Sequence, residues 1–430
     1  MNIFKFGGAS VNSADGVRNF VKIVQSYREE MVIVLSAMGK TTNALEEIVD
    51  AFAAKKDGIE SKVDALQTYH MKIINELFLK KDDAVFSKIE SLFSQLRAYL
   101  QKSPSLCYEF DYDQIVCFGE LISTTIVSEY LRLSGTPNKW VDIRTCLKTD
   151  DTYKEGRIDW ELSQKLVPQA FGFTNTFVYV TQGFLGGTKT NQTTTLGREG
   201  SDYTAAILSY ILDVDKLAIW KDVPGIMNAD PKWLPDAQKL ERISYQEAIE
   251  LAFYGAKVIH PKTIQPIKKK KIPLQVRSFL NLNESGTLIS TASKKQDQLI
   301  PVYIRKQDQV LISIRPSDFS FILEENLSSL FSIFAKHQVK VNLIQNSAIS
   351  FSVCVDNSDR RLKNLIEEIS TKFEVRYNEN LELITIRHHN SEAVERMTNG
   401  RKYCWNSEAE ILHNLCCCKK IKDKEVGNVW

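Results

Sequence analysis

A lysine followed by a glycine pair stands at the head of the chain, in Met1-Asn-Ile-Phe-Lys-Phe-Gly-Gly-Ala-Ser-Val. The ammonium of Lys5 is a compact point charge suited to holding a phosphate. Gly7 and Gly8 leave room for backbone N–H groups to approach an anion closely. Because the lysine precedes the glycines, this is not the G-x-x-x-x-G-K-[ST] phosphate loop. A second stretch of similar character lies mid-chain: Thr181-Gln-Gly-Phe-Leu-Gly-Gly, then Thr194-Thr-Leu-Gly-Arg-Glu-Gly-Ser-Asp-Tyr-Thr. Arg198 can clamp a carboxylate or a phosphate through two parallel hydrogen bonds. Asp202, four residues on, adds negative charge where phosphates would sit, which makes sense if a metal ion or a cationic side chain lies between. The bland alternative is a tight glycine turn whose polar residues face water.

These residues need elements that aim them at one place. Residues 3–6 read as a short strand, and Val17, Phe20, Val21 and Val24 as the apolar side of the helix after it. Residues 31–35 are a second buried strand, leading through Ser36 into a helix that starts near Thr42. Residues 176–180 form a strand before the glycine-rich stretch. Residues 201–212 form a helix after it, with Ser201 or Asp202 as N-cap. A further strand ends in Lys221-Asp-Val-Pro-Gly, a tight turn. Strand, loop and helix therefore alternate, the pattern of an α/β sheet. Ligands of such sheets gather at the carboxyl ends of the strands. Residues 50–101 are rich in Lys, Glu and Leu at helical spacing, and read as a helical insertion (about 50–110) that packs or forms a lid. Glu120, after Gly119, reads either as an exposed helix glutamate or as a partner for an ammonium. Thr42 reads equally as an N-cap. His260, before a proline and beside Val258 and Ile259, reads as a structural hydrogen bonder rather than an acid–base group.

The motif Lys5-Phe-Gly-Gly-Ala-Ser-Val resembles the first signature of the aspartate kinases, in the amino acid kinase superfamily. Leu196-Gly-Arg-Glu-Gly-Ser-Asp-Tyr resembles the second. The resemblance runs in order from residue 1 to about residue 388. It implies an open, three-layer, mostly parallel sheet in a kinase domain over residues 1–290, with ATP and Mg2+ as cofactors. The implied reaction is transfer of the γ-phosphate of ATP to the side-chain carboxylate of L-aspartate, the first step towards lysine, threonine and methionine. By resemblance, Lys5 and Asp202 are catalytic, and Ser36, Thr42, Glu120 and Arg198 bind the acceptor. Lys5, Gly7, Gly8, Lys221, Asp222, Met227, Lys232 and Lys257 contact the nucleotide. Lys221, Met227 and Lys232 depart from the Thr or Ser, Tyr and Arg more usual there. Other readings are a related carboxylate kinase, or an amino-acid sensor with weak or lost kinase activity.

A polar, linker-like stretch, residues 291–299, follows the kinase part. From Val310 to Tyr377 the order is β-α-β-β-α-β, the ferredoxin-like unit. Over residues 300–388 it resembles an ACT regulatory domain. The resemblance places an amino-acid effector, lysine or threonine, at Asn326, Leu327, Val341, Asn342 and Ser347, and implies a homodimer through this region. Residues 389–430 are expected to be an incomplete or aberrant second ACT unit. After Arg401 neither strand alternation nor a hairpin signature is evident. The run Cys416-Cys-Cys with His413 lacks the C-x2-C spacing of a zinc site.

The composition fits this outline. At 430 residues, two to three domains are expected. A net charge of +2 gives no reason to expect nucleic acid or an anionic membrane as partner. The eight cysteines, five of them scattered, suit a reducing cytoplasm. No apolar run reaches bilayer length, and the first residues lack the pattern of a signal peptide.

Overall fold

The computed structural model describes residues 1–80, 83–174, 176–256, 259–291, 300–318, 320–399, 403–409 and 412–418. Two compact units are present. The first comprises Met1–Ile226, Lys239–Ile249 and Val258–Asp297; the second comprises Met227–Gln238, Glu250–Lys257 and Gln298–Trp430.

The first unit opens β1 (Asn2–Phe6), α1 (Ala14–Gln25), β2 (Met31–Leu35), α2 (Thr41–Ala53). The expected helical insertion follows as α3 (Ile59–Leu77), α4 (Ala84–Leu100) and α5 (Tyr108–Val116), and leads into α6 (Phe118–Leu133). Next come β3 (Lys139–Val141), α7 (Trp160–Ala170), β4 (Val178–Gln182), the ribbon β5 (Leu185–Gly187) and β6 (Thr193–Thr195), α8 (Gly200–Leu212) and β7 (Lys216–Lys221). The chain continues with β8 (Arg242–Ser244), α9 (Tyr245–Tyr254), α10 (Pro261–Lys269), β9 (Leu274–Ser278) and β10 (Thr287–Ser290). One sheet runs in the order β3-β4-β2-β1-β7-β9-β10-β8, parallel except where β9 meets β10. Every residue of β1, β2 and β4 is buried. That is why these strands read as unbroken apolar runs rather than as alternating ones: helices cover both faces of a parallel sheet.

Register matters more than count. Phe6 pairs with Leu35 and with Trp220, and Leu35 pairs with Gln182. Parallel strands in step end together, so the loops beginning at Gly7, Ser36, Gly183 and Asp222 leave from one edge of the sheet. The central strands are locked by aromatic packing. Phe6 stacks on Trp220 with ring centroids 5.6 Å apart, and Phe4 and Tyr27 meet the same indole edge-on.

The second unit carries β11 (Val302–Pro316), α11 (Glu324–Lys336), β12 (Val341–Asn346), β13 (Phe351–Asp356), α12 (Asp359–Ile369), β14 (Phe373–Arg387), α13 (Ser391–Thr398), β15 (Tyr403–Ala409) and β16 (Leu412–Cys418). Its antiparallel sheet runs β12-β13-β11-β14-β16-β15. The β-α-β-β-α-β order appears as read from the sequence. The short strands near 302 and 310 are one strand, β11, bent by a bulge between Lys306 and Gln309 with Asp308 at φ +53°. Of the linker expected at 291–299, residues 292–299 lie outside the described residues.

Two sequence expectations need correction. The first is the α8 cap. Ser201 and Asp202 lie inside the first turn, and Glu199 at φ +54° is the N-cap. The helix starts at Gly200, where a side chain would fall 2.6 Å from the Phe184 ring. The second concerns the tail. Strands do form after Arg401, and β16 pairs with β14 from Leu381↔Cys418 to Arg387↔Leu412. Alternation is masked because the buried residues of β16 include polar ones: His413 and Asn414 are buried beside Leu415. Asn414 is satisfied by the Thr385 hydroxyl, which donates to it at 2.8 Å.

Candidate active site

The shared strand edge opens into a cavity of about 650 Å3 in the first unit. Lys5, Gly7, Gly8, Ser36, Thr42, Glu120, Arg198, Asp202, Lys221 and Asp222 all line it. Lys5 arrives at the end of β1, Lys221 at the end of β7, Thr42 on the first turn of α2, Glu120 on the first turn of α6, and Asp202 on the first turn of α8. Nearly two hundred residues of sequence separate Lys5 from Asp202, yet Nζ and Oδ1 are 2.6 Å apart and both side chains are buried.

The two glycines of the first loop play different parts. Gly8 donates no room at all: a Cβ there would sit 2.4 Å from the Ala37 carbonyl oxygen and 3.0 Å from that of Gly39. The Gly8 carbonyl accepts from the Gly39 N–H at 3.0 Å, which welds the first crossover loop to the second. At Gly7 the nearest atom to such a Cβ is Lys5 Nζ, at 3.6 Å.

Two buried carboxylates in the cavity behave oppositely. Burial pushes the Glu120 carboxyl up to about 8; the Ala37 N–H, which donates to Oε1 at 3.2 Å, and the more distant Lys5 only partly offset this. Glu120 Oε2 is buried with no hydrogen-bond partner among the described residues. For Asp202, burial likewise works to raise the carboxyl, but the adjoining Lys5 ammonium, with Lys221 beyond, outweighs it and holds the group below its ordinary value. One acid is thus ionised and paired, while the other is poised to ionise when a cation arrives.

The lining holds four cationic side chains, Lys5, Lys154, Arg198 and Lys221, against six acidic ones, Glu46, Glu120, Glu155, Glu199, Asp202 and Asp222. A polyanion entering such a lining needs further positive charge. Asp202 and Asp222 could each offer an oxygen to a Mg2+ ion, which favours one or two carboxylates plus substrate phosphates. Among the described residues no group of three His, Cys, Asp or Glu side chains could cage a metal alone.

Several expected residues lie elsewhere. Met227 and Lys232 belong to the second unit and are not among the cavity's lining residues. Lys257 lies outside the described residues. His260 caps α10, its Nδ1 accepting the Lys262 N–H at 3.1 Å. The expected effector residues are on the second unit. Asn326 accepts the Leu323 N–H at the start of α11, and Leu327 and Val341 pack on that unit's core. Asn342 sits in a network with Gln309, Asp356 and Lys306, and Ser347 bonds Ser350. Sequence reasoning missed Glu46, Tyr112, Lys154, Phe184 and Phe279, all of which line the cavity. No spacing marks them; only folding brings them there.

The profile of the amino acid kinase family matches residues 1–278. The chain is 30% identical to the lysine-sensitive aspartokinase 3 of Escherichia coli, over 98% of this chain and 96% of that protein. It is 28% identical to the bifunctional aspartokinase/homoserine dehydrogenase of Daucus carota, over 86% of this chain but 42% of that longer protein. Crystal structures of E. coli aspartokinase III, one with lysine and aspartate (T-state) and one with aspartate and ADP (R-state), each superpose with a TM-score of 0.79. Each is 28% identical and covers 97% of this chain and 95% of the other. Sequence profile, full-length similarity and fold agree with the lysine-first glycine loop and the Lys5–Asp202 pair: the chain belongs to the amino acid kinase family, among its aspartokinases.

Proposed function

We propose that this protein transfers the γ-phosphoryl group of ATP to the side-chain carboxylate of L-aspartate, giving 4-phospho-L-aspartate and ADP. The observation that carries the reading is the cavity in which Lys5, Arg198, Asp202 and Glu120 Oε2, which has no partner among the described residues, meet. The acceptor carboxylate is already ionised at neutral pH, so no base is needed to make the nucleophile. One of its oxygens bonds to the γ-phosphorus while the bond to the β–γ bridging oxygen breaks, and ADP leaves with that electron pair. The chain's task is to bring two anions into line and hold the charge that moves between them. Lys5 and the backbone N–H groups at Gly7 and Gly8 take the γ-phosphate charge. Asp202 holds the Lys5 ammonium in place. Arg198 clamps the α-carboxylate, Glu120 receives the α-ammonium, and Ser36 and Thr42 lie beside them. Lys221 and Asp222 face the nucleotide. Mg2+, when bound, neutralises charge between the phosphates.

Lysine sensitivity of the E. coli relative favours lysine as the effector here, bound on the second unit around α11 and β12, with a dimer formed through that region. Free thiols at Cys107, Cys117, Cys146 and Cys354 suit action in the cytoplasm. No helix among the described residues is long and apolar enough to cross a membrane.

The test is ADP release with L-aspartate as acceptor, alone and with lysine, threonine or methionine added. Lys5→Ala should lower kcat by roughly a hundredfold or more, with a smaller effect on the KM for aspartate. A near-wild-type kcat would reject the role given to Lys5.

A further inference from the structure

We infer that Lys154 is a specificity-determining residue, a second cation beside Arg198 that engages the α-carboxylate of the acceptor. The inference rests on the aspartate-kinase reading above and assigns a residue that neither glycine motif contains. Lys154 sits on the loop closed by the Thr149↔Ile158 bridge and lines the cavity together with Arg198, Glu120 and Thr42.

Three observations place its backbone beside the Arg198 loop. First, the buried Asp113 carboxylate on α5 accepts the Lys154 N–H at 2.9 Å and, from β6, the Thr195 N–H at 3.0 Å and hydroxyl at 2.7 Å. One carboxylate thus ties the loop to the strand that ends three residues before Arg198. Second, a Cβ on Gly197 would lie 3.3 Å from the Lys154 carbonyl oxygen, so the loop packs directly on the neighbour of Arg198. Third, Lys154 has φ +66°, a left-handed conformation that a side chain disfavours. Such strain gathers at functional sites, where the surroundings hold it.

The ammonium itself is parked rather than paired. It lies 4.4 Å from the ring centre of Tyr112 and 5.1 Å from that of Tyr108. The two phenols are fixed by donating to Glu46 at 2.8 Å and to Asp50 at 2.6 Å. Among the described residues Lys154 forms no ion pair. A lysine on aromatic faces keeps its reach and gives up little when it swings to a carboxylate, because a charge-assisted hydrogen bond exceeds a cation–π contact. Arg198 offers a planar fork and Lys154 a point charge on a flexible stem.

The experiment compares wild type with Lys154→Gln, Lys154→Gly and Lys154→Arg, using L-aspartate and its α-amide as acceptors. For Gln and Gly the KM for aspartate should rise about tenfold while that for ATP stays within about twofold. The KM for the α-amide, which lacks the carboxylate, should hardly change, so discrimination between the two acceptors shrinks. Lys154→Arg should restore most of it. Lys154→Gly relieves the left-handed strain and keeps the backbone bond to Asp113, so its Tm should be equal or higher; a side chain that served only to pack on Tyr108 and Tyr112 would give a lower Tm. An unchanged KM for aspartate in both variants, or an equal rise in both substrates' KM values, overturns the inference. Failure of the wild type to turn over aspartate would overturn the acceptor assignment, and this inference with it.

Discussion

At the scale of single residues, the site works by giving two buried carboxylates different neighbours. Asp202 has Lys5 at 2.6 Å; Glu120 has one backbone N–H and a bare oxygen. A carboxyl raised from 4.5 to about 8 holds its proton in the fold at a pH where the unfolded chain has released it. Its contribution to stability is therefore complete below the unfolded value and is lost as pH rises through the folded one. The free protein should lose stability between pH 5 and 8 relative to Glu120→Gln, a difference read from Tm at both ends. An arriving α-ammonium reverses the preference, so aspartate binding near pH 7 should release about one proton. Calorimetry in buffers of different ionisation enthalpy measures that release; a pH-independent affinity with no proton released would remove Glu120 from the role. Spacing names Glu120 only as one of two readings, and the family resemblance alone chooses the ammonium partner, because burial decides between them and spacing does not report burial. Lys154, Tyr112 and Glu46 are less legible still. None of them belongs to either glycine motif.

At the scale of elements, parallel strands in step do the positioning, and their apolar runs were plain in the sequence for the reason that both faces are covered. What the motif does not disclose is that its two glycines differ. A Cβ on Gly7 would make only an ordinary contact with Lys5 Nζ, at 3.6 Å, whereas Gly8 is pressed against the Ala37 and Gly39 carbonyls. Gly7→Ala should therefore leave Tm within about 2 °C, while Gly8→Ala should destabilise by about 1–3 kcal/mol as the two crossover loops separate. Equal melting shifts for the two variants would show that the close approach at Gly8 is not what the glycine serves. Elements were misread where a side chain behaves against type. Glu199 takes a left-handed cap that usually falls to glycine or asparagine. The polar residues of β16 are buried where alternation would have put apolar ones. Both cases are tertiary: α8 begins at Gly200, which packs on the Phe184 ring, and the Thr385 hydroxyl on β14 satisfies Asn414.

At the scale of the whole molecule, the two compact units interleave along the chain. Met227–Gln238 and Glu250–Lys257 belong with the second unit although the first unit resumes after each. Ala229 and Leu234 are buried in a cluster with Tyr303, Ile384, Ile386, Met397 and Leu415. The Tyr303 N–H donates to the Asn228 carbonyl at 2.7 Å, and Arg396 pairs with Asp236 at 2.7 Å. A composition shift near residue 291 suggests cutting the chain there to isolate a kinase. That cut would strip Ala229, Leu234 and Asn228 of every one of these partners while leaving them attached. Exposing a buried leucine and an orphaned carbonyl together costs about 2–5 kcal/mol. Residues 1–290 alone should consequently associate on size-exclusion chromatography and melt several degrees below the full chain. The full chain carrying Leu415→Ala should show a smaller drop, since it opens the same cluster by one side chain. If residues 1–290 elute as a single monodisperse species and melt within about 2 °C of the full chain, the segment 227–238 needs none of these contacts, and the kinase part is as separable as its sequence suggests.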